Sequence, residues 1–336
     1  MACRIGINGF GRIGRMVLRR VLEQPGADVE VVAINDLAPI GELAYLLKYD
    51  SVHGFLREEV SHDEQAIQVA GKSIRFFEER EPATIPWGPV GADIVIESTG
   101  VFRGRQDAGQ HLQAGARKVV ISAPSNNVDV TIVLGVNEEM YDPARHDVIS
   151  MASCTTNSLA PVAKVLHEHF GIARLFITTV HAYTSSQALM DKPMRHRRRG
   201  RAAALSMIPT TTGAARATAL VLPELAGKMD GMAIRIPVPD GSVTDIVVNL
   251  EKATSAEEIN ACLLQASQKP PLQGVLEVNS DEVVSADIVG NPHSSIVDAP
   301  STNVLGGSMA KILAWYDNEW GYSCRLVDLA ARLANA

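Results

Sequence analysis

The segment from Arg4 to Asp36 constrains the fold more than any other part of the chain. Arg4-Ile-Gly-Ile-Asn8 reads as a short buried strand, and Gly9-Phe-Gly11-Arg-Ile-Gly14 follows at once. A helical pattern comes next, with Ile13, Met16, Val17 and Val21 on one face, broken at Pro25-Gly26. Glu30 to Asn35 reads as the next strand and ends at Asp36, 22 positions past Gly14. The glycine triplet alone is a weak signal. With a strand before it, a helix after it and an acid closing the next strand, it is the fingerprint of a dinucleotide site. Gly9 permits the tight turn, Gly11 lets the backbone approach a pyrophosphate, and Gly14 lets helix pack on strand. The helix N-terminus then faces the phosphates. A carboxylate at Asp36 accepts both adenosine ribose hydroxyls and repels a 2′-phosphate, which favours NAD over NADP.

The same alternation continues. Ile40 to Leu47 reads as helical, and Ile67–Val69 with Lys72–Phe77 reads as a hairpin around Ala70-Gly71. Strands are expected at 92–97, 118–122 and 146–151, with a helix over 110–115. Strands alternating with helices predict a parallel, doubly wound sheet of Rossmann type, with ligands at the carboxyl ends of the strands. Beyond Gly171 the pattern changes. A strand over 174–180 ends at His181, and a long polar stretch runs from Ala182 to Arg201. Ile208 to Gly213 opens a helix over 214–222. Strands over 232–238 and 243–250 flank Pro239-Asp-Gly241 as an antiparallel pair. A helix follows at 256–268, a strand at 311–316, and an amphipathic helix closes the chain. This predicts an α+β second domain with a mixed or antiparallel sheet. The expected division is a dinucleotide-binding domain over 1–153 and a catalytic domain over 154–320, with a final helix over 321–336 packing back on the first.

Ser153-Cys154-Thr155-Thr156-Asn157 precedes an apolar helical pattern of Leu159, Val162, Ala163, Leu166 and Phe170, closed by Gly171. A thiol at a helix N-terminus meets unpaired N–H groups and the positive end of the dipole, and both favour thiolate. Cys154 is therefore a candidate nucleophile, set against the inert buried role of most cysteines. Composition narrows the setting. At 336 residues two domains are expected. The net charge of −7 gives no overall attraction to nucleic acid or acidic membranes. Four scattered cysteines form no CxxC pair and no metal-ligand spacing, so no metal site is expected and a reducing compartment is. No charged leader and no apolar run of about 18 residues is visible, so a soluble cytoplasmic protein is expected. The run Arg195-His-Arg-Arg-Arg-Gly-Arg201 is strongly basic but has no interleaved aromatics, and nucleic-acid binding is not its expected role.

Residues 6–15 (GINGFGRIGR), 152–157 (ASCTTN), 179–181 (TVH), 209–215 (PTTTGAA) and 315–322 (WYDNEWGY) together resemble phosphorylating glyceraldehyde-3-phosphate dehydrogenase, end to end. The resemblance implies NAD-dependent oxidation of glyceraldehyde 3-phosphate to 1,3-bisphosphoglycerate, a step of glycolysis and gluconeogenesis. Cys154 matches the family's nucleophile and His181 its base. The thiolate adds to the aldehyde, imidazole takes the hemithioacetal hydroxyl proton as hydride leaves, and inorganic phosphate cleaves the thioester. Thr184 and Arg235 match the site for the substrate's C3 phosphate. Ser153, Thr212, Gly213 and Arg198 match the site for attacking phosphate, with Arg197, Arg199 and Arg201 as neighbouring alternatives; Thr155 joins the substrate- and phosphate-binding set. Gly9, Gly11, Arg12, Ile13, Gly14, Asp36, Arg80, Ser122 and Asn318 match cofactor contacts, and Asn318 would hold the nicotinamide carboxamide. Tyr322 is expected nearby. Lys192 departs from the leucine of NAD-specific relatives, in a loop that lines an adjoining subunit's cofactor site, so measurable but weaker NADP use is expected. The family is typically homotetrameric. Two alternatives stay open: erythrose 4-phosphate as substrate, and a non-enzymatic nucleic-acid or partner-binding role on the same scaffold.

Overall fold

The computed structural model of the chain describes residues 2–24, 28–125 and 127–336. The helix break expected at Pro25-Gly26 lies outside the described residues. The chain divides into two compact units. One comprises Met1–Ile132, Glu139–Ala152 and Ser323–Ala336, the other Val133–Glu138 and Ser153–Tyr322.

The first unit runs β1 (Cys3–Asn8), α1 (Arg12–Glu23), β2 (Val29–Asn35), α2 (Ile40–Lys48), a small hairpin of β3 (Tyr49–Asp50) and β4 (Gly54–Phe55), then β5 (Val60–His62), β6 (Ala66–Val69), β7 (Lys72–Phe77) and β8 (Ile94–Glu97). Short helices α3 (Arg105–Ala108) and α4 (Gln110–Gln113) lead to β9 (Lys118–Ile121), β10 (Val130–Thr131) and β11 (Val148–Ser150). Nine of these strands form one sheet in the order β10-β11-β9-β8-β1-β2-β7-β6-β5. Every pair from β10 to β7 is parallel, and β6 is antiparallel to both of its neighbours. The central strands are near-continuous apolar runs, with Ile5, Ile7, Ile34, Val95, Ile96, Val119 and Val120 all buried. Such runs suit a parallel sheet covered on both faces. The β6–β7 turn at Ala70-Gly71 has positive φ at both residues (50° and 73°), the geometry that joins a tight hairpin.

From β1 the chain passes to β2 on one side and later to β8 on the other. β1 is therefore the switch point, and Asn8 is in register with Asn35 of β2 and Glu97 of β8. Ligands of such sheets bind at this crevice.

The second unit begins with α5 (Cys154–Phe170) and β12 (Ile172–Ala182), then β13 (Ile208–Thr211), α6 (Ala214–Val221), β14 (Met229–Ile236), β15 (Ser242–Leu250), α7 (Ala256–Ser267), β16 (Leu276–Asn279), α8 (Ser285–Ile288), β17 (Ser295–Leu305) and β18 (Met309–Tyr316). Its sheet has the order β13-β14-β12-β15-β18-β17-β16 and is mixed: β12–β14 and β16–β17 are parallel, the other pairs antiparallel. Leu159, Val162, Ala163 and Leu166 of α5 are fully buried. The last helix, α9 (Trp320–Ala334), starts in this unit and from Ser323 belongs to the first.

Two expectations for this unit are corrected. β14 and β15 do not pair with each other. The eleven-residue β12 lies between them, parallel to β14 and antiparallel to β15. The connection through Pro237 and Pro239 crosses the end of β12, where Tyr183 N–H donates to the Val238 carbonyl (3.1 Å); prolines without N–H suit a crossover better than a hairpin ladder. Residues 208–211 are an edge strand against β14 rather than a helix entry. The strands β16 and β17 were not legible from periodicity.

The core of the first unit sets a sharp test. A Cβ at Gly6 would lie 2.5 Å from the Trp87 ring, which is itself fully buried. Gly6→Ala should destabilise the protein by about 1–3 kcal/mol through overpacking, seen as a lower urea midpoint; an unchanged midpoint would contradict this packing.

Candidate active site

The glycine loop takes the shape its residues require. Gly9 has φ +90°, and a Cβ there would lie 2.6 Å from the Thr99 backbone nitrogen. A Cβ on Gly14 would collide with the Gly9 carbonyl oxygen and meet the Ile7 side chain at 3.1 Å. At Gly11, which precedes α1, the corresponding space is open. No side chain among the described residues caps α1, and an open approach to a helix N-terminus is where a pyrophosphate fits. Asp36 secures the loop, accepting from Phe10 N–H at one oxygen (2.7 Å) and Ala38 N–H at the other (2.9 Å). The Arg12 side chain is ion-paired with Asp50. Hydrogen bonds from Arg12 and from the Val52 and His53 N–H groups hold the Asp50 carboxyl at about 2, against the opposing effect of burial.

A cleft of about 320 Å³ opens over the ends of β1, β2 and β8, lined by Gly9, Gly11, Asp36 and the exposed Arg80, among others. Its acid, glycines and helix end fit a dinucleotide. Ile13 and Gly14 lie in the first turn of α1. Ser122 sits just past β9, with its N–H on the Glu97 carbonyl (2.9 Å), and does not line this cleft.

In the second unit Ser153 caps α5. Its Oγ accepts from Thr156 N–H at 3.1 Å, which leaves Cys154 as the first helical residue. Just before it, Ala152 has φ +56°, one of two non-glycine residues with positive φ among the described residues. Such strain persists only where the surroundings impose it. Cys154 Sγ lies 3.5 Å from His181 Nε2. His181, at the end of β12, is buried, and its Nδ1 lies 2.8 Å from the Ala182 carbonyl oxygen. A carbonyl only accepts, so Nδ1 carries the proton and the neutral ring turns its Nε2 lone pair toward sulfur.

Strand register places Arg235 of β14 beside His181. Its Nη1 donates to the same Ala182 carbonyl (3.0 Å) and to Thr184 Oγ1 (3.1 Å), while its buried Nε has no hydrogen-bond partner among the described residues. Burial pushes the Cys154 thiol up to about 11, opposed by the Arg235 charge and by hydrogen bonds from Thr155. Burial and the Arg235 charge push His181 down to about 3. The helix end favours thiolate, as its Thr155 hydrogen bond shows, but burial outweighs it. Moving the proton from Sγ to Nε2 creates both charges together, 3.5 Å apart, where their attraction is strongest.

Other expected residues divide. Thr184 and Arg235 are brought together. Thr155 is buried, its hydroxyl 2.9 Å from the Tyr316 hydroxyl and against the Cys154 sulfur, beside the candidate nucleophile. Thr212 and Gly213 stand at the start of α6, with Thr212 Oγ1 accepting from Ala214 N–H (3.2 Å). Arg198 is exposed beside a separate surface cleft. Its neighbour Arg199 is half-buried, donates to Thr210 Oγ1 (2.9 Å) and adds its charge to that felt by Arg235. Asn318 is buried, its Oδ1 accepting from Ser242 Oγ (2.5 Å). The Ser242 oxygen in turn accepts from Ala182 N–H (3.0 Å). Tyr322 is buried and electrostatically coupled to Cys154. Sequence reading missed Tyr316, whose hydroxyl joins Thr155 to Thr179 and whose ring stands edge-on to His181, and Ser242. Tyr316 lies inside the 315–322 motif, which does not single it out, and Ser242 carries no local signal.

The pair makes a pH prediction. His181→Asn removes the proton acceptor and leaves burial to oppose the thiolate. Alkylation of Cys154 by iodoacetamide at pH 7 should slow about tenfold or more, and its pH midpoint should rise. An unchanged profile would mean that the imidazole does not take the thiol proton.

Comparison with known proteins agrees in both units. Residues 3–105 match the family description "Glyceraldehyde 3-phosphate dehydrogenase, NAD binding domain". Residues 153–318 match "Glyceraldehyde 3-phosphate dehydrogenase, C-terminal domain". The chain is 57% identical over 335 residues to glyceraldehyde-3-phosphate dehydrogenase of Geobacillus stearothermophilus, covering 100% of this chain and 99% of that one. It is 56% identical, with the same coverage, to glyceraldehyde-3-phosphate dehydrogenase 2 of Streptomyces avermitilis. It is also 56% identical to glyceraldehyde-3-phosphate dehydrogenase 1 of Bacillus subtilis, over 99% of each chain. With a mixed second sheet beside a dinucleotide fold, a cysteine capped at a helix start and a histidine at its sulfur, the chain belongs to the glyceraldehyde-3-phosphate dehydrogenase family.

Proposed function

We propose that this chain is an NAD-dependent enzyme that oxidises glyceraldehyde 3-phosphate and captures the acyl group on inorganic phosphate. The observation that carries the mechanism is the 3.5 Å approach of His181 Nε2 to Cys154 Sγ, with Nδ1 tied to the Ala182 carbonyl. The thiol proton passes to Nε2 as sulfur bonds to the aldehyde carbon. The imidazolium returns that proton to the new oxyanion, giving a hemithioacetal on Cys154. Nε2 then removes the same hydroxyl proton as the carbon is oxidised to a thioester. NAD, when bound, supplies the hydride acceptor. A phosphate oxygen attacks the thioester carbon, the C–S bond breaks, and the proton held by His181 restores the thiol.

Gly9, Gly11, Arg12, Ile13, Gly14, Asp36 and Arg80 of the first unit hold the cofactor in this reading, with Ser122 and Asn318 completing the set. Asp36 favours NAD, and NADP is used measurably but less well. Arg235 and Thr184 take the substrate's C3 phosphate, since a fixed guanidinium and a hydroxyl already meet there. Thr155, next to the nucleophile, belongs to the substrate- and phosphate-binding set, and Ser153, Thr212 and Gly213 take the attacking phosphate together with Arg199 rather than Arg198, because Arg199 donates to Thr210 and influences Arg235. The domain limits of 1–153 and 154–320, with the last helix serving the first domain, belong to the same reading. A homotetramer and a cytoplasmic location do too. Exposed Leu189, Met190, Leu205 and Met207 supply apolar surface for association, and native mass would show a single chain if the tetramer is wrong. No helix among the described residues is long and apolar enough to cross a membrane. The relatives' names do not favour erythrose 4-phosphate or a binding-only role.

The test is steady-state NADH formation from glyceraldehyde 3-phosphate and NAD, with and without phosphate. Sustained turnover should require phosphate and vanish in Cys154→Ser. In the same assay Arg199→Ala should raise the KM for phosphate about tenfold and Arg198→Ala much less. Equal turnover without phosphate would overturn the acyl-phosphate step.

A further inference from the structure

A buried polar chain lies under the dinucleotide cleft, and the reaction described above makes no use of it. Its centre is Glu97, at the end of β8 and 1% exposed. One oxygen, Oε2, accepts from Asn8 Nδ2 (2.6 Å) and meets His111 Nε2 at 3.1 Å. The other, Oε1, accepts from the Thr99 N–H (2.8 Å) and from the Thr99 hydroxyl. Four donors converge on this side chain, which suits an ionised carboxylate and no other side chain of its length. His111 is fully buried, and the indole N–H of Trp87 donates to its Nδ1 (2.9 Å). An indole only donates, so the His111 proton is on Nε2 and points at Glu97. Trp87 thus selects the tautomer, and His111 holds the carboxylate.

The other ends of this chain reach the cleft. Asn8 Oδ1 accepts from Asn35 Nδ2 (2.8 Å), and Asn35 exchanges two further bonds with the Glu79 backbone (2.8 and 2.9 Å). Thr99 Oγ1 accepts from Val101 N–H (3.0 Å). The Phe102 ring meets His111 edge-on, with centroids 6.5 Å apart. Asn8, Asn35, Glu79, Thr99, Val101 and Phe102 all line the cleft. Three neighbouring strand ends, β2, β1 and β8, are therefore tied together through side chains at one level of the sheet.

We propose that Glu97 and His111 are positioning residues for the cofactor: neither is needed for the chemistry at sulfur, and together they set the affinity for the dinucleotide by fixing the floor and rim of its cleft. A carboxamide at 97 presents N–H to donors on one side. It would leave Thr99 or the Asn8–His111 pair without an acceptor, and that part of the floor would move. This rests on the NAD reading above, and its failure is separable from failure of that reading.

The experiment measures NAD dissociation constants, melting temperatures and steady-state constants for the unaltered protein and for Glu97→Gln, His111→Leu and His111→Gln. Glu97→Gln should weaken NAD about tenfold or more, and His111→Leu several-fold. His111→Gln, whose amide N–H can reach the carboxylate, should recover part of the loss. At saturating NAD, kcat and the KM for phosphate should stay within about twofold. A control, Ile67→Ala in β6, is buried in the same unit and does not line the cleft. It should lower the melting temperature without weakening NAD. The inference is overturned if the variants bind NAD within about twofold of the unaltered protein, or if Ile67→Ala loses as much affinity at a matched melting temperature. Should Glu97→Gln not fold, the contrast between His111→Leu and His111→Gln decides alone. An unaltered protein that neither binds nor reduces NAD would sink the NAD reading and this inference with it.

Discussion

The carbonyl oxygen of Ala182 holds two side chains at once, His181 through Nδ1 and Arg235 through Nη1. That shared acceptor decides the tautomer of the imidazole, the direction of its free lone pair and the place of the nearest positive charge. The backbone supplies it through register: β12 and β14 run parallel, with His181 opposite Arg235. A one-residue slip of β14 along β12 would turn Arg235 to the opposite face from His181. The catalytic arrangement is thus a consequence of strand pairing, and the insertion of β12 between β14 and β15 is what makes it possible.

Charge balance at sulfur follows from the same geometry. Burial favours the neutral thiol and the neutral imidazole, while the Arg235 charge favours thiolate and neutral imidazole. A proton shared along the 3.5 Å contact avoids leaving an isolated charge in a buried site. In the first unit the logic is similar but static. There a buried carboxylate is matched by four converging donors, and the cleft above inherits their rigidity.

Much of this is legible in the sequence, and the limits have physical causes. The first sheet was readable because parallel strands are continuous apolar runs and glycines mark their turns; the antiparallel turn at Ala70-Gly71 was readable for the same local reason. Cys154 stood out through its cap and the helix behind it, and His181 through family resemblance. What failed was non-local. The partner of β14 depends on a strand some fifty residues away, which periodicity cannot show. The hydroxyl partner of Thr155 is Tyr316, 161 positions on, which no local pattern announces. Within the arginine run, a 3-10 turn over Arg197–Gly200 sends successive side chains in different directions, so spacing from Thr212 could not separate Arg198 from Arg199. Burial of the thiol, which opposes the helix end, is likewise a property of packing.

The central claim is that one thiol per chain becomes a thioester that phosphate, and not water, resolves. Rapid mixing of enzyme, NAD and glyceraldehyde 3-phosphate without phosphate tests it most directly. The account predicts a burst of about one NADH per chain followed by a near-stall, the kinetic mark of an accumulating acyl-enzyme. Linear NADH formation without a burst, at the rate seen with phosphate, would contradict it.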